Sequence, residues 1–204
     1  STQRLDAVAA VPVAIAANNR LKDICDSHPD RLMGFAQLPT ADPTAAADEL
    51  SRCVNELGFK GAMIHGLIGD QRLFPDNKIF WPIYGRAQEL GVPIYLHPAN
   101  IHPAVAKAYL NDYAAEYPGL MNAGWGFTME TATIGIRMVL SRVFEAYPDL
   151  QVILGHLGGD SAWDELKKVL VGSNITARKE ALKGLGSWPD GRPAETIYRI
   201  ARNQ

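Results

Sequence analysis

The chain has 204 residues, 47% of them hydrophobic, which is enough to bury a sizeable core and excludes a disordered polypeptide. Its 20 basic and 22 acidic residues give a formal net charge of -2 and are scattered in both signs, with no basic stripe for nucleic acid and no polybasic patch for a membrane surface. No apolar run approaches the roughly 20 residues that span a bilayer, and STQRLDAVAAVPVAIAA has no basic leader ahead of a signal core. A small-molecule partner and a cytoplasmic location are therefore expected.

In chain order, Ile15, Leu21, Ile24 and Cys25 mark a helix from Pro12 to His28, ended by the proline of SHPDR. RLMGFAQLP, residues 31–39, is a short apolar run closed by proline and reads as a strand. TADPTAAADELSRCVNELG then opens a helix with Asp42 as cap, Pro43 in the first turn and Gly58 as the stop, burying Leu50, Cys53, Val54 and Leu57. FKGAMIH is the next strand, followed by a Gly-, Asp- and Pro-rich loop and a helix from about Phe80 to Leu90. NELGFKGAMIHG and QELGVPIYLHP repeat one pattern: helix end, glycine, apolar strand, histidine, turn. Residues 98–127 are too long for an ordinary connection, are rich in aromatics, and read as a lid or binding loop. A helix from about Met129 to Tyr147 leads into the strand QVILGH, and SAWDELKKVLVG is one more helix. Cys25 and Cys53 fall on apolar helix faces, as reduced packing thiols do.

Strands alternating with helices demand a parallel sheet, and apolar strands buried on both faces suit one. An open doubly wound sheet would favour a glycine-rich phosphate loop after its first strand, and no such pattern runs through GHLGGD. A closed (β/α)8 barrel builds its active site at the C-terminal ends of several strands, which is where His65, His97 and His156 fall. The fold class is therefore read as α/β, a TIM-like (β/α)8 barrel.

A neutral imidazole at a strand end can bind zinc or a similar ion, or can be a buried histidine satisfied by nearby backbone. Three strand ends on one rim favour the functional reading. His97 is taken as the metal ligand, because LHP stops its strand and sends the chain over the rim. His156, flanked by glycines in GHLGG, is the candidate acid/base. His65 is a rim residue lining the substrate, and Trp125 and Phe127 in AGWGF line an aromatic-sized pocket. His102 reads as a surface-loop residue and His28 as structural. Glu130 and Arg137 either point at the site or pair with neighbouring charges, and Asp160 and Lys167 read as a solvated helix start and face.

The segments HPDRLMGFAQLP, ELSRCVNELGFKGAMIHG, QELGVPIYLHPA and WGFTMETATIGIRMVLSRVFEAYPDLQVILGHLGG, with RPAETIYR beyond them, together resemble the amidohydrolase-related metal-dependent family typified by aminocarboxymuconate semialdehyde, dihydroxybenzoate and resorcylate decarboxylases. The match runs from about Asn18 to Gly159. The resemblance implies a (β/α)8 barrel with one divalent metal, zinc or alternatively manganese. It implies His97 as a ligand ending strand five and His156 in catalysis after strand six. The family's other ligands are a pair one residue apart on strand one, Glu or His then His, and an aspartate after strand eight. No H-x-H or E-x-H occurs in this chain. Residues 1–204 are accordingly expected to be a single domain holding strands three to six, with strands one, two, seven and eight missing. Gly159 stands where dihydroxybenzoate-type decarboxylases carry glutamate and Lys167 where they carry arginine; Gly159 leans toward the muconate-semialdehyde type or toward a further branch of the family.

The resemblance implies a metal-dependent non-oxidative decarboxylase of an aromatic or unsaturated carboxylate, working as a homo-oligomer. A hydrolase of an ester, lactone or amide on the same site is the nearest alternative. A catalytically incompetent fragment or binding module is the alternative from another class.

Overall fold

The structure, a computed structural model, describes residues 2–156. The chain divides into two units at residue 156, and the description below concerns the first. The expected helix at SAWDELKKVLVG, the RPAETIYR segment, and Gly159, Asp160 and Lys167 lie outside the described residues.

Four parallel strands, β1 (Ala36–Gln37), β2 (Ala62–His65), β3 (Ile94–His97) and β4 (Val152–Leu154), pair in the order β1-β2-β3-β4. Sequential order means that each crossover advances the chain by one strand without reversal. That is how a barrel wall is built, whereas a doubly wound sheet turns back at a switch point. The wall belongs to the TIM-like barrel class, represented by four neighbouring strands.

Helix α2 (Pro43–Asn55) follows β1 and α3 (Trp81–Glu89) follows β2. α2 forms where expected because the Asp42 carboxylate accepts the Thr44 and Ala45 N–H groups while Pro43 fills the first turn, where its missing N–H costs nothing. Alternate strand residues Ala62, Ile64, Ile94 and Leu96 are buried against these helices together with Leu50, Ile83 and Tyr84. Met63, His65, Tyr95 and His97 share the opposite face and are only half-buried. The expectation of strands buried on both faces is corrected here: among the described residues, one face packs on helices and the other is the face a closed barrel would turn inward.

The helix expected from Pro12 begins earlier, as α1 (Ala7–Ser27), because the Asp6 side chain caps it through Ala9 N–H. Pro12 is tolerated inside the helix on its exposed side. The buried stripe is Ala10, Ala14, Asn18 and Cys25, whereas Ile24 stays 45% exposed. The strand expected over residues 31–39 shrinks to two paired residues. The helix expected from Met129 to Tyr147 is two: α5 (Gly126–Leu140) and α6 (Val143–Ala146), separated where Arg142 takes a left-handed φ of 63° and turns Val143 into the core. The expected long loop contains α4 (Pro103–Tyr109), capped by His102, whose Nδ1 accepts the Ala104 N–H.

Asn18 explains how α1 covers the sheet. Its carboxamide donates to the Gln37 carbonyl and accepts the Gln37 N–H, both at 2.9 Å, so it imitates a neighbouring strand on the outer side of β1. The same amide donates to Glu49 Oε1 at 2.7 Å. Arg52 grips the Glu49 carboxylate at 2.8 Å through each of two nitrogens. Burial works to raise the Glu49 pKa, but hydrogen bonds from Arg52, Asn18 and Cys53 outweigh it and hold the carboxyl below its ordinary value. Cys53 and Cys25 are free and buried, and burial beside Glu49 pushes the Cys53 thiol up to about 12, so it packs as a neutral thiol.

Two outcomes follow from this network. Asn18→Ala strands the Gln37 peptide groups and one Glu49 oxygen, so urea unfolding is expected to show a loss of about 3 kcal/mol; a loss under about 0.5 kcal/mol would mean that water replaces the amide. Because the folded pKa of Glu49 lies below its unfolded value, its contribution is present above about pH 4.3 and fades as pH falls through the folded value. The stability gap between wild type and Glu49→Gln should therefore narrow on acidification, and a gap independent of pH would refute the assignment.

Candidate active site

The register of the sheet assembles the site. His65 and His97 are direct partners in the β2–β3 ladder, so their side chains leave the same face, with ring centroids 4.8 Å apart. His156 follows β4 by two residues, and its ring centroid is 4.7 Å from that of His97, edge-on at 77°. Phe127, at the start of α5, packs edge-on against both, 5.6 Å from His97 and 5.1 Å from His156. His97 is thus the centre of a ring cluster at the C-terminal end of the sheet.

Its hydrogen bonds set its tautomer. Nδ1 lies 2.7 Å from the Pro98 carbonyl oxygen, which can only accept, so Nδ1 carries the proton and Nε2 presents a lone pair. The Nε2 atoms of His97 and His156 are 3.1 Å apart. With His97 Nε2 unprotonated, this contact assigns the donated proton to His156 Nε2. A histidine with Nδ1 tied to a carbonyl and Nε2 free has the arrangement of a metal ligand.

His156 has a φ of 55°, the left-handed conformation, which costs a residue other than glycine about 1–2 kcal/mol. Gly155 before it is required by space, since a Cβ there would lie 2.4 Å from the Tyr95 hydroxyl.

His65 is held by a residue that the sequence did not advertise. Gln3 donates to the His65 carbonyl at 3.0 Å and accepts its N–H at 2.7 Å, and its Oε1 lies 3.2 Å from His65 Nδ1. Burial lowers the His65 pKa, and the adjacent His97 imidazole pushes the same way, so His65 stays neutral near pH 7. No motif marks Gln3; only the residue type, a carboxamide able to pair with both peptide groups, hints at it afterwards.

Four of the five expected site residues therefore come together: His65, His97, His156 and Phe127. Trp125 caps α5 and is 48% exposed, and among the described residues its ring makes no contact with the histidines. His28 caps α1 away from the cluster. Glu130 is buried, while Arg137 pairs with Asp76 at 2.7 Å over the Phe74 ring, which resolves its two readings in favour of a neighbouring charge. No group of three or more His, Cys, Asp or Glu that could hold a metal occurs among the described residues.

The chain is similar to several known proteins. The chain is 40% identical over 153 residues to a gamma-resorcylate decarboxylase of Rhizobium radiobacter, covering 73% of this chain and 45% of that protein. It is 28% identical over 150 residues to the 2-amino-3-carboxymuconate-6-semialdehyde decarboxylase of Dictyostelium discoideum, covering 74% and 39%. The higher identity lies with the resorcylate enzyme, opposite to the direction suggested by Gly159. A dihydroxybenzoic acid decarboxylase from Polaromonas sp. JS666, solved with bound manganese and the inhibitor 2-nitroresorcinol, superposes with a TM-score of 0.69 at 40% identity over 77% of this chain and 47% of that one. The chain spans a little under half the length of these curated relatives. The sequence model of the family described as Amidohydrolase matches residues 1–200, nearly the whole chain, and with the sequential parallel wall and its histidine rim this establishes that the chain belongs to the amidohydrolase family.

Proposed function

We propose that this chain is the central part, strands three to six, of a metal-dependent non-oxidative decarboxylase acting on an aromatic or unsaturated carboxylate, working as a homo-oligomer. The observation that carries the reading is the pair of facing Nε2 atoms, 3.1 Å apart, with the Pro98 carbonyl 2.7 Å from His97 Nδ1 assigning the proton of His97 to that side. Likeness to resorcylate and dihydroxybenzoic acid decarboxylases supports the substrate class.

His97 Nε2 fits a divalent ion because its lone pair is free and its ring is oriented from behind by the Pro98 carbonyl. Zinc and manganese both accept imidazole, and manganese is bound in the related decarboxylase. The ion would supply positive charge to hold the substrate carboxylate and a neighbouring oxygen, or to activate a water. His97 has one lone pair there, so serving as ligand and accepting the His156 proton exclude each other; as ligand, it leaves the His156 N–H for substrate. As an imidazolium, protonated on both ring nitrogens, His156 then delivers its Nε2 proton to the carbon that loses carbon dioxide and is left as the neutral imidazole. The electron pair of the breaking carbon–carbon bond takes up the proton, and no external oxidant or reductant is needed. Phe127 offers an aromatic edge beside both histidines, and His65, neutral and clamped, offers a polar wall on the β2 side.

A second arrangement is favoured by one number. With the two Nε2 atoms 3.1 Å apart on one rim, His156 would serve beside His97 as a second imidazole ligand to a divalent ion. Variants separate the two.

In the full-length protein loaded with metal, His97→Ala is expected to lose most of its bound ion by elemental analysis, and retention equal to wild type would sink the ligand role. His156→Asn should keep its metal and fold while turnover, followed as carbon dioxide release from aromatic carboxylates, falls about 10²–10⁴-fold. Metal leaving with the His156 side chain would make it a ligand instead. Cleavage of an ester or lactone without carbon dioxide release would favour the hydrolase.

A further inference from the structure

Helix α5 carries Phe127, Glu130, Thr131 and Ile134, at spacings that fall on one helical face. Each member reaches a different strand-end segment. Phe127 packs against the His97 and His156 rings. Glu130, 3% exposed, accepts the His102 N–H at 3.0 Å and so pins the segment that follows His97. Ile134 fills the space beside Gly66, directly after His65, where an added Cβ would meet its Cδ1 at 2.7 Å. Thr131, 1% exposed, donates its hydroxyl hydrogen to the Gly155 carbonyl at 2.6 Å.

The last contact has a mechanical consequence. A threonine within a helix commonly turns its hydroxyl back onto the carbonyl one turn earlier. The Thr131 hydroxyl instead reaches across to β4, to the peptide that joins Gly155 to His156. Gly155 is held at both ends, its N–H donating to the Leu96 carbonyl at 3.0 Å and its own carbonyl taken by Thr131. The φ of His156 is the rotation about the bond leaving that peptide. Anchoring the peptide plane therefore holds the left-handed φ of 55°, a conformation that persists in a non-glycine residue only when its surroundings over-determine it.

We propose that Thr131 is a positioning residue for His156: through the Gly155 carbonyl, its hydroxyl keeps the His156 backbone left-handed and its Nε2 facing His97 Nε2. The inference rests on the reading of His156 as the proton donor, and deepens it.

The test compares Thr131→Val, which keeps the shape and removes the hydroxyl, with Thr131→Ser, which keeps the hydroxyl. In the full-length metal-loaded protein, Thr131→Val should lower kcat by about 10- to 100-fold with KM and metal content near wild type, as expected for an ångström-scale misplacement. Thr131→Ser should restore kcat. Independently of activity, in protein labelled with 15N-histidine and stripped of metal, the His156 Nε2 resonance should shift in Thr131→Val and return in Thr131→Ser. Thr131→Ala serves where Thr131→Val does not fold, with the same expectation. An unmoved His156 resonance in the variant lacking the hydroxyl, or equal loss in the serine variant, overturns the proposal. A resonance that shifts and is rescued while turnover stays at wild-type level supports the positioning and removes the acid/base role of His156, so the two failures are distinguishable.

Discussion

The hydrogen-bonded register of β3 with its neighbours is the constraint on which the site depends. Because parallel partners are matched residue for residue, pairing His65 with His97 and Leu96 with Leu154 brings three histidine-bearing segments to one end of the sheet. A slip of one residue in either ladder would send the histidine to the helix-packed face, where Ile64 and Leu96 lie with no exposure. The apolar core therefore protects the site indirectly. The burial of Ile64, Ile94 and Leu96 against α2 and α3 is what makes the register costly to change.

At two places a side-chain amide pairs with both peptide groups of a strand residue. Asn18 pairs with both peptide groups of Gln37 beyond β1, and Gln3 pairs with both peptide groups of His65 above the end of β1. A carboxamide presents one donor and one acceptor at nearly peptide spacing, so it can satisfy both peptide groups of one residue. Gln3 also approaches the His65 ring, which makes the same device part of the functional face.

The functional face is closed from above by α5. One helical face touches the segments after β2, β3 and β4, through Ile134, Glu130 and Thr131 in turn, and adds Phe127 to the ring cluster. Glu130 shows that the arrangement is not free of cost. Burial raises its pKa against the help of the His102 N–H, and its Oε2 has no hydrogen-bond partner among the described residues.

The sequence by itself determined what is local and periodic. The alternation of strands and helices, the Asp42 cap with Pro43, the packing cysteines and the positions of His65, His97 and His156 at the ends of apolar runs were all legible, because they depend on residues close together in the chain. The family was legible too, in phrases that each span one strand and its turn. The tertiary structure decided what depends on residues far apart. That Asn18 sits at the middle of the buried face of α1, that Ile24 does not, and that Glu49 is buried are consequences of what lies opposite them. The break at Arg142 follows from the pull of Val143 into the core. The His97 tautomer follows from the carbonyl of its own neighbour Pro98, whereas the facing of His156 and His97 joins residues 59 positions apart. Thr131 reads in the sequence as an ordinary helical residue and becomes a lever on His156 only because the fold brings Gly155, 24 positions later, within hydrogen-bond distance of its hydroxyl.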